Sequence, residues 1–240
     1  MDIVKQRRMA ESEVSFNKVD AKGLIISGVK VNEFVAYEST FTKCRFERLQ
    51  VRGWSPGVRG SVYVGCSFVG CRMGRVGNDY CRFEGCSFEN VVIRNWGMRF
   101  SDVVDCVFTG RIESGFFSDH NMVNFPLDPD KPVNEFRGND FSGCELVGVD
   151  FRGGIDLSQQ KLPTGPDYLY LEDGPGAIEG AFRFVEAWPD ETFRKEGLVW
   201  LGIRRKQADR GQRQLFMNRN TSHRLASIWP QLCDALQGVG

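Results

Sequence analysis

Apolar side chains recur along most of this chain with a period of five. Stepping from Cys66 gives Cys71, Val76, Cys81, Cys86, Val91, Trp96, Ser101 and Cys106, and two residues after most of these stands a larger apolar group: Phe68, Met73, Phe83, Phe88, Ile93, Met98, Val103 and Phe108. Neither an α-helix nor an ordinary strand has that period, so the repeat is resolved before any local element is assigned. At a spacing of twenty, Cys66, Cys86 and Cys106 form one series and Phe68, Phe88 and Phe108 another. The spacing predicts a chain that turns four corners per coil. If coils stack at the ~4.8 Å separation of hydrogen-bonded β-backbone, residues i and i+20 lie above one another. Small groups then fill the corners and large ones meet near the axis, excluding water.

The pairing starts earlier, as Leu24/Ile26, Val29/Val31, Phe34/Ala36, Ser39/Phe41, Cys44/Phe46 and Leu49/Val51. It returns later as Asn139-Asp140-Phe141-Ser142-Gly143, Cys144-Glu145-Leu146-Val147-Gly148 and Val149-Asp150-Phe151-Arg152-Gly153. These units resemble the pentapeptide-repeat family, whose unit is a small residue, then Asp or Asn, then Leu or Phe, then two polar or small positions. The resemblance covers roughly residues 24 to 157. It implies an all-β solenoid, a right-handed quadrilateral β-helix. Glycines two residues after the large inward group, such as Gly70, Gly85 and Gly138, suit tight corners. The expected organisation is an N-terminal cap or flexible segment over 1–23, the solenoid over 24–162, and a helical region over 163–240.

Two stretches break the pattern, and breaks in a repeat scaffold are where specific contacts are expected. Residues 52–65 are rich in Gly and Pro and carry Trp54, which reads as a loop or distorted corner. Residues 109–133 contain Arg111, Phe116, Phe117 and His120, followed by Pro126, Pro129 and Pro132, which forbid continuous pairing. Both are read either as spacers or as partner-contacting loops, with Phe116, Phe117 and His120 near the tip of the second. Trp96 stands where Cys, Val or Ser otherwise stands, so the coil bulges there or the register shifts.

After Leu162-Pro163 the periodicity becomes helical. Asp167 to Gly174 reads as a short strand or extended linker. Ile178, Ala181, Phe182, Val185 and Trp188 form one helical stripe, and a second helix begins at Pro189-Asp190-Glu191. Leu225, Ile228, Trp229, Leu232 and Leu236 predict a third, which Pro230 is expected to kink or interrupt. The C-terminal α-helical appendage is expected to cover the carboxyl end of the solenoid or to form a homodimer.

The eight cysteines follow the five-residue period rather than the knuckle spacing of zinc sites. They are read as small buried hydrophobes, with no metal and no cofactor. No apolar run approaches the ~20 residues needed to span a bilayer, and the amino terminus lacks a signal-peptide h-region. A cytoplasmic location without membrane partners is expected. Only His120 and His223 are present and no catalytic motif accompanies them, so no enzymatic activity is expected. Residues 1–160 carry 20 Lys and Arg against 21 Asp and Glu, which works against the acidic rod that a DNA mimic needs. The cluster containing Arg204, Arg205 and Arg210 is a basic segment in a neutral chain. It fits an acidic partner better than nucleic acid, since no nucleic-acid motif goes with it.

The resemblance and the charge together lead to one expectation of function. It is a non-catalytic module that binds another protein and neutralises or shields it, as an immunity (antitoxin-like) protein does a cognate toxin. The alternatives are a DNA-mimicking protector of a type II topoisomerase (gyrase), and a nucleic-acid contact through 204–224.

Overall fold

The computed structural model describes residues 7–8, 11–77, 80–119 and 133–238. The five-residue period becomes a quadrilateral β-solenoid. One face is a six-stranded parallel sheet: Asp20–Lys22, Thr40–Thr42, Ser61–Val64, Cys81–Glu84, Asp102–Val104 and Phe136–Arg137. The next face begins with Ile25–Ser27, Arg45–Glu47 and Ser67–Val69. Longer strands such as Lys30–Tyr37, Gln50–Val58 and Ser87–Met98 run on around the remaining corners.

The interior is built of columns. Phe46, Phe68, Phe88, Phe108 and Phe141 stack ring on ring, with centroids 4.8, 4.7, 4.7 and 4.5 Å apart. That is the rung spacing of the sheet itself, so a Phe repeated at each coil meets its own kind with no adjustment. Each such ring pair contributes about 0.5–1.5 kcal/mol beyond its area burial. Phe41, Tyr63 and Phe83 form a second stack at 4.9 and 4.8 Å.

The cysteine column occupies a corner and also serves as a donor series. Each thiol points at a carbonyl of the preceding coil: Cys44 to Ala21 at 3.4 Å, Cys66 to Phe41 at 3.2 Å, Cys86 to Tyr63 at 3.4 Å and Cys106 to Phe83 at 3.6 Å. Toward the carboxyl end the same position takes amides, with Asn139 Nδ2 donating to Val103 at 2.8 Å and Gln160 Nε2 to Phe136 at 3.0 Å. All eight cysteines are free, seven of them buried. Burial raises the Cys71 and Cys144 thiols, the latter to about 12.

Coil length varies without breaking the columns. The step is 20 residues from Ser67 to Ser87, 22 from Arg45 to Ser67, 19 from Gly97 to Phe116 and 33 from Val103 to Phe136. The Gly- and Pro-rich stretch after Arg52 is therefore no loop. Gln50–Val58 is a strand whose register against Val35 and Tyr37 shifts at a bulge around Pro56. The missing N–H of Pro56 is tolerated there, and the Pro56 carbonyl takes the buried Tyr63 hydroxyl at 2.9 Å. Gly57 is obligatory, since a Cβ would sit 2.2 Å from Cys81 Cβ.

The second break is narrower than the sequence suggests. Val107–Glu113 and Phe116–Ser118 are rungs of the solenoid, the first with a register shift between Phe108 and Gly110, and the extra residues follow Ser118. The solenoid also starts before residue 24, because Glu13 to Asn17 pair in parallel with Glu33 to Tyr37. The register does shift at Trp96, as its place in the repeat suggested: Arg75 pairs with Arg94 and Val76 with Trp96, which leaves Asn95 as an extra residue. The Trp96 side chain is fully buried against the rings of Phe88, Phe108 and Phe117.

Beyond the last rung the chain forms three helices and a two-stranded antiparallel sheet of Tyr168–Leu171 and Leu215–Asn218. Helix α1, Gly174–Glu186, is capped by Asp173 and buries Ile178, Ala181 and Val185. Helix α2, Glu191–Ala208, is capped by Asp190 and carries Arg205 and Lys206 in its last turn, where cations suit the dipole. Helix α3, His223–Gln237, runs continuously through Pro230, contrary to the expected interruption. Proline forfeits one hydrogen bond, and the buried Ile228, Trp229 and Leu232 on either side hold the helix in place.

The little sheet meets the solenoid core, and α2 reaches the last rung through Arg204. Phe216 joins the solenoid core and packs edge-on to Phe151 at 5.9 Å. Gln212 donates to the Ile155 carbonyl at 3.0 Å, and Gln214 accepts from the Leu157 amide at 2.8 Å. These side-chain amides satisfy backbone groups that a following coil would otherwise pair.

Candidate functional site

The outward residues obey the same stacking as the core. On the third face, Lys30, Gln50, Arg72, Val92, Arg111 and Glu145 form one column in register. Beside it run Glu33, Gly53, Arg75, Arg94 and Glu113. Gly53 makes room in the second column for the Glu33 carboxylate, which lies where its Cβ would stand, and the sheet bulges at Gly74, where a Cβ would lie 2.2 Å from the Arg52 carbonyl oxygen.

The result is a groove of about 620 Å³ lined, among the described residues, by Lys30, Arg52, Arg72, Arg75 and Arg94 and by no Asp or Glu. Ion pairs thin out along it. At the carboxyl-terminal side Arg94 and Arg111 engage Glu113 at 2.8 and 2.5 Å, and Arg111 reaches Glu145 at 2.7 Å. The Arg94 guanidinium, helped by Arg111, holds the Glu113 carboxyl below the usual carboxylate range. Arg75 has only a 3.9 Å contact with Glu33. Lys30, Arg52 and Arg72 have no ion-pair partner among the described residues, and all three are exposed. In water a carboxylate about 4 Å from one such cation gains only ~1 kcal/mol. Useful affinity on this face therefore requires a ligand that presents several negative groups at once.

The residues expected to make contacts from the sequence are dispersed. Trp54 and Phe117 are corrections, being 3% and 0% exposed. Trp54 lies among Tyr63, Phe68 and Phe83, and Phe117 against Phe136 and Phe151, so neither can touch a partner. Phe116 is half-buried beneath the Arg152 guanidinium, 4.6 Å from its ring centre. Arg111 stands at the paired end of the basic face, and His120 lies outside the described residues.

Arg204 is likewise corrected from contact to structure. Its side chain is 7% exposed and pairs with Asp150 of the last rung at 2.8 Å, joining α2 to the solenoid. Arg205 lies over Phe182 at 4.8 Å, and Arg210 lines a smaller cleft of about 230 Å³ with Arg152 and Lys206. The basic segment is further spent on Asp167, by Arg219 at 3.6 Å, and on Glu196, by Arg224 at 3.4 Å.

The groove cations are not legible from the period, because the coil step here is 22 residues: Arg72 stacks on Gln50, and Arg52 lies opposite the bulge at Gly74. Among the described residues no three His, Cys, Asp or Glu side chains are placed to hold a metal, and no helix is long and apolar enough to cross a membrane.

Fold and surface together define a quadrilateral β-solenoid closed at its carboxyl end by an α/β cap. Three solved structures of QnrB1, described as a plasmid-mediated fluoroquinolone resistance protein, are similar to it. A trypsin-treated variant is 17% identical, covers 58% of this chain and 79% of that chain, and has a TM-score of 0.29. The full-length protein is 19% identical over 62% of this chain and 81% of that one, at 0.23. A second trypsin-treated variant is 12% identical over 60% and 79%, at 0.29. No protein-family model and no curated protein sequence matches the chain.

Proposed function

We propose that this chain is a non-catalytic binding protein of the pentapeptide-repeat type, which lays the side of its rod against another protein and blocks that protein's working surface. The observation that carries the reading is the cation-lined groove on a sheet whose strands are held on both sides. Such a surface is preorganised, so binding costs little ordering entropy. An immunity, antitoxin-like role in the cytoplasm is the form of this reading that we favour.

Charge placement speaks against the DNA-mimic alternative. The third face presents unpaired cations where a phosphate imitation needs acids. On the first face Arg82 engages Glu84, Asp102 and Glu135 at 2.9, 3.4 and 2.8 Å, so signs alternate there too. A nucleic-acid contact through 204–224 is weakened because Arg204, Arg219 and Arg224 are already paired. A homodimer through the helices belongs to the proposal, Val199 and Ile203 being 57% and 42% exposed one turn apart on α2. Light scattering of the purified chain reads that assembly directly.

The test is capture of partners by the full-length chain from its native host, with nuclease treatment, followed by reconstitution from purified components. A protein that binds directly and loses its own activity supports the reading. Recovery of nucleic acid alone, or substrate turnover by the purified chain, overturns it.

A further inference from the structure

We infer that the basic groove seats an extended, Asp- and Glu-rich segment of the partner protein; this rests on the protein-binding reading above and adds the chemistry of what is bound. The groove's free charge lies at Lys30, Arg52 and Arg72, one on each of three successive coils. At the ~4.8 Å rung spacing, that run together with the next rung spans about 14 Å. An extended peptide rising about 3.3 Å per residue crosses it with four or five residues. Carboxylates on alternate residues of such a segment point to one side, about 6.6 Å apart, within reach of long, exposed Lys and Arg side chains.

Nucleic acid fits less well. Among the described residues no aromatic lines the groove, so unstacked bases find no platform there. Three unpaired cations also fall short of the about 6–10 phosphate contacts typical of duplex binding. The chain as a whole carries 31 Lys and Arg against 31 Asp and Glu, so no net positive charge adds a general attraction for polyanions.

The partner segment also has to supply what the protein itself supplies lower on the same face. Glu113 and Glu145 already neutralise Arg94 and Arg111 on the carboxyl-terminal rungs. The bound segment continues that acidic series upward over the rungs that lack it. Gly74 keeps its part of the floor clear, since a side chain there collides with the Arg52 backbone.

The experiment uses the full-length chain and three fluorescein-labelled probes: a ten-residue alternating Glu-Ser peptide, a ten-nucleotide single strand and a ten-base-pair duplex. Anisotropy is read at 20 mM and 150 mM salt. The peptide is expected to bind more tightly than either nucleic acid and to weaken with salt. Arg52→Glu/Arg72→Glu is expected to lower its affinity at least tenfold, whereas Lys43→Glu/Arg48→Glu, the same charge change at corners outside the groove, leaves it within twofold. Circular dichroism and thermal melting establish that both variants are folded. Should the groove variant not fold, Arg52→Gln/Arg72→Gln takes its place, with an expected loss of at least threefold. No peptide binding, equal loss in both variants, or tighter binding of a nucleic acid overturns the inference. A host protein still captured by the groove variant refutes the groove assignment alone, while absence of any protein partner for the unaltered chain refutes the binding reading itself.

Discussion

Single side chains in this protein are chosen by the column in which they stand. A cysteine in the corner column fills little volume and still offers a donor to the carbonyl one coil back, as Cys86 does to Tyr63. Its neighbours hold it protonated: a hydrogen bond with Cys106, and then burial, push the Cys86 thiol up to about 12. Only Cys233, on α3, is partly exposed, and burial there raises its thiol to about 11. Titration of the native protein with a thiol reagent at pH 8 is expected to modify no more than this one cysteine, and unfolding in denaturant to release all eight. Rapid native modification of two or more would contradict the column assignment. Trp96 makes a different point at the same scale. Its Nε1 is buried without a hydrogen-bond partner, so Trp96→Phe removes an unsatisfied donor worth about 1–3 kcal/mol along with some packing. Phe88→Ala only loses packing, between Phe68 and Phe108, and is expected to cost about 3–5 kcal/mol in chemical denaturation.

Elements follow from the repeat where each coil keeps to twenty residues and become illegible where it does not. The columns, the four faces and the helical stripes of α1 and α3 could all be read from spacing, because burial dictates residue type at those positions. The bulge at Pro56 could not, because Gly and Pro signal a loop wherever the tertiary context is unknown. The docking of the cap was also hidden. Arg204 looks like one member of a basic run, and only the fold brings it to Asp150 across 54 residues of chain. Burial alone would raise the Asp150 carboxyl, yet Arg204 and Arg152 hold it below the usual range. Asp156, which accepts from Ser158, Gln214 and Gln159, is lowered to about 2. Carboxyls depressed in the folded state contribute stability that is present above their unfolded pKa, about 4, and is lost as pH falls through the folded value. Thermal stability is therefore expected to drop between about pH 4 and pH 2, and Asp150→Asn to flatten that dependence. Arg204→Ala leaves the Asp150 carboxylate with Arg152 alone and is expected to cost about 1.5–3 kcal/mol at pH 7, the range for a hydrogen bond between charged groups, read by urea denaturation.

At the scale of the whole molecule, the rod tolerates uneven coils because neighbouring rungs need only their columns in common. The 33-residue step from Val103 to Phe136 shows this most clearly, since Phe117 pairs with Phe151 beyond it as though nothing had been inserted. Removing the 13 residues 120–132 returns that step to 20. The shortened chain is expected to fold with a melting temperature within a few degrees of the parent's. A partner that it no longer captures is one that needs the excised segment, whereas a partner lost only on groove charge reversal binds the third face.

The hydrogen bonds that join the rungs, such as Ser87 N to the Cys66 carbonyl at 2.9 Å and Val107 N to the Cys86 carbonyl at 2.9 Å, all cross from one coil to the next. A force drawing the two ends of the rod apart thus loads one rung's bonds at a time and peels the structure stepwise at low tension. Pressure from the side is shared by every rung it touches, so a partner gripped along a flank meets a wall, while one that tugs on an end finds a seam.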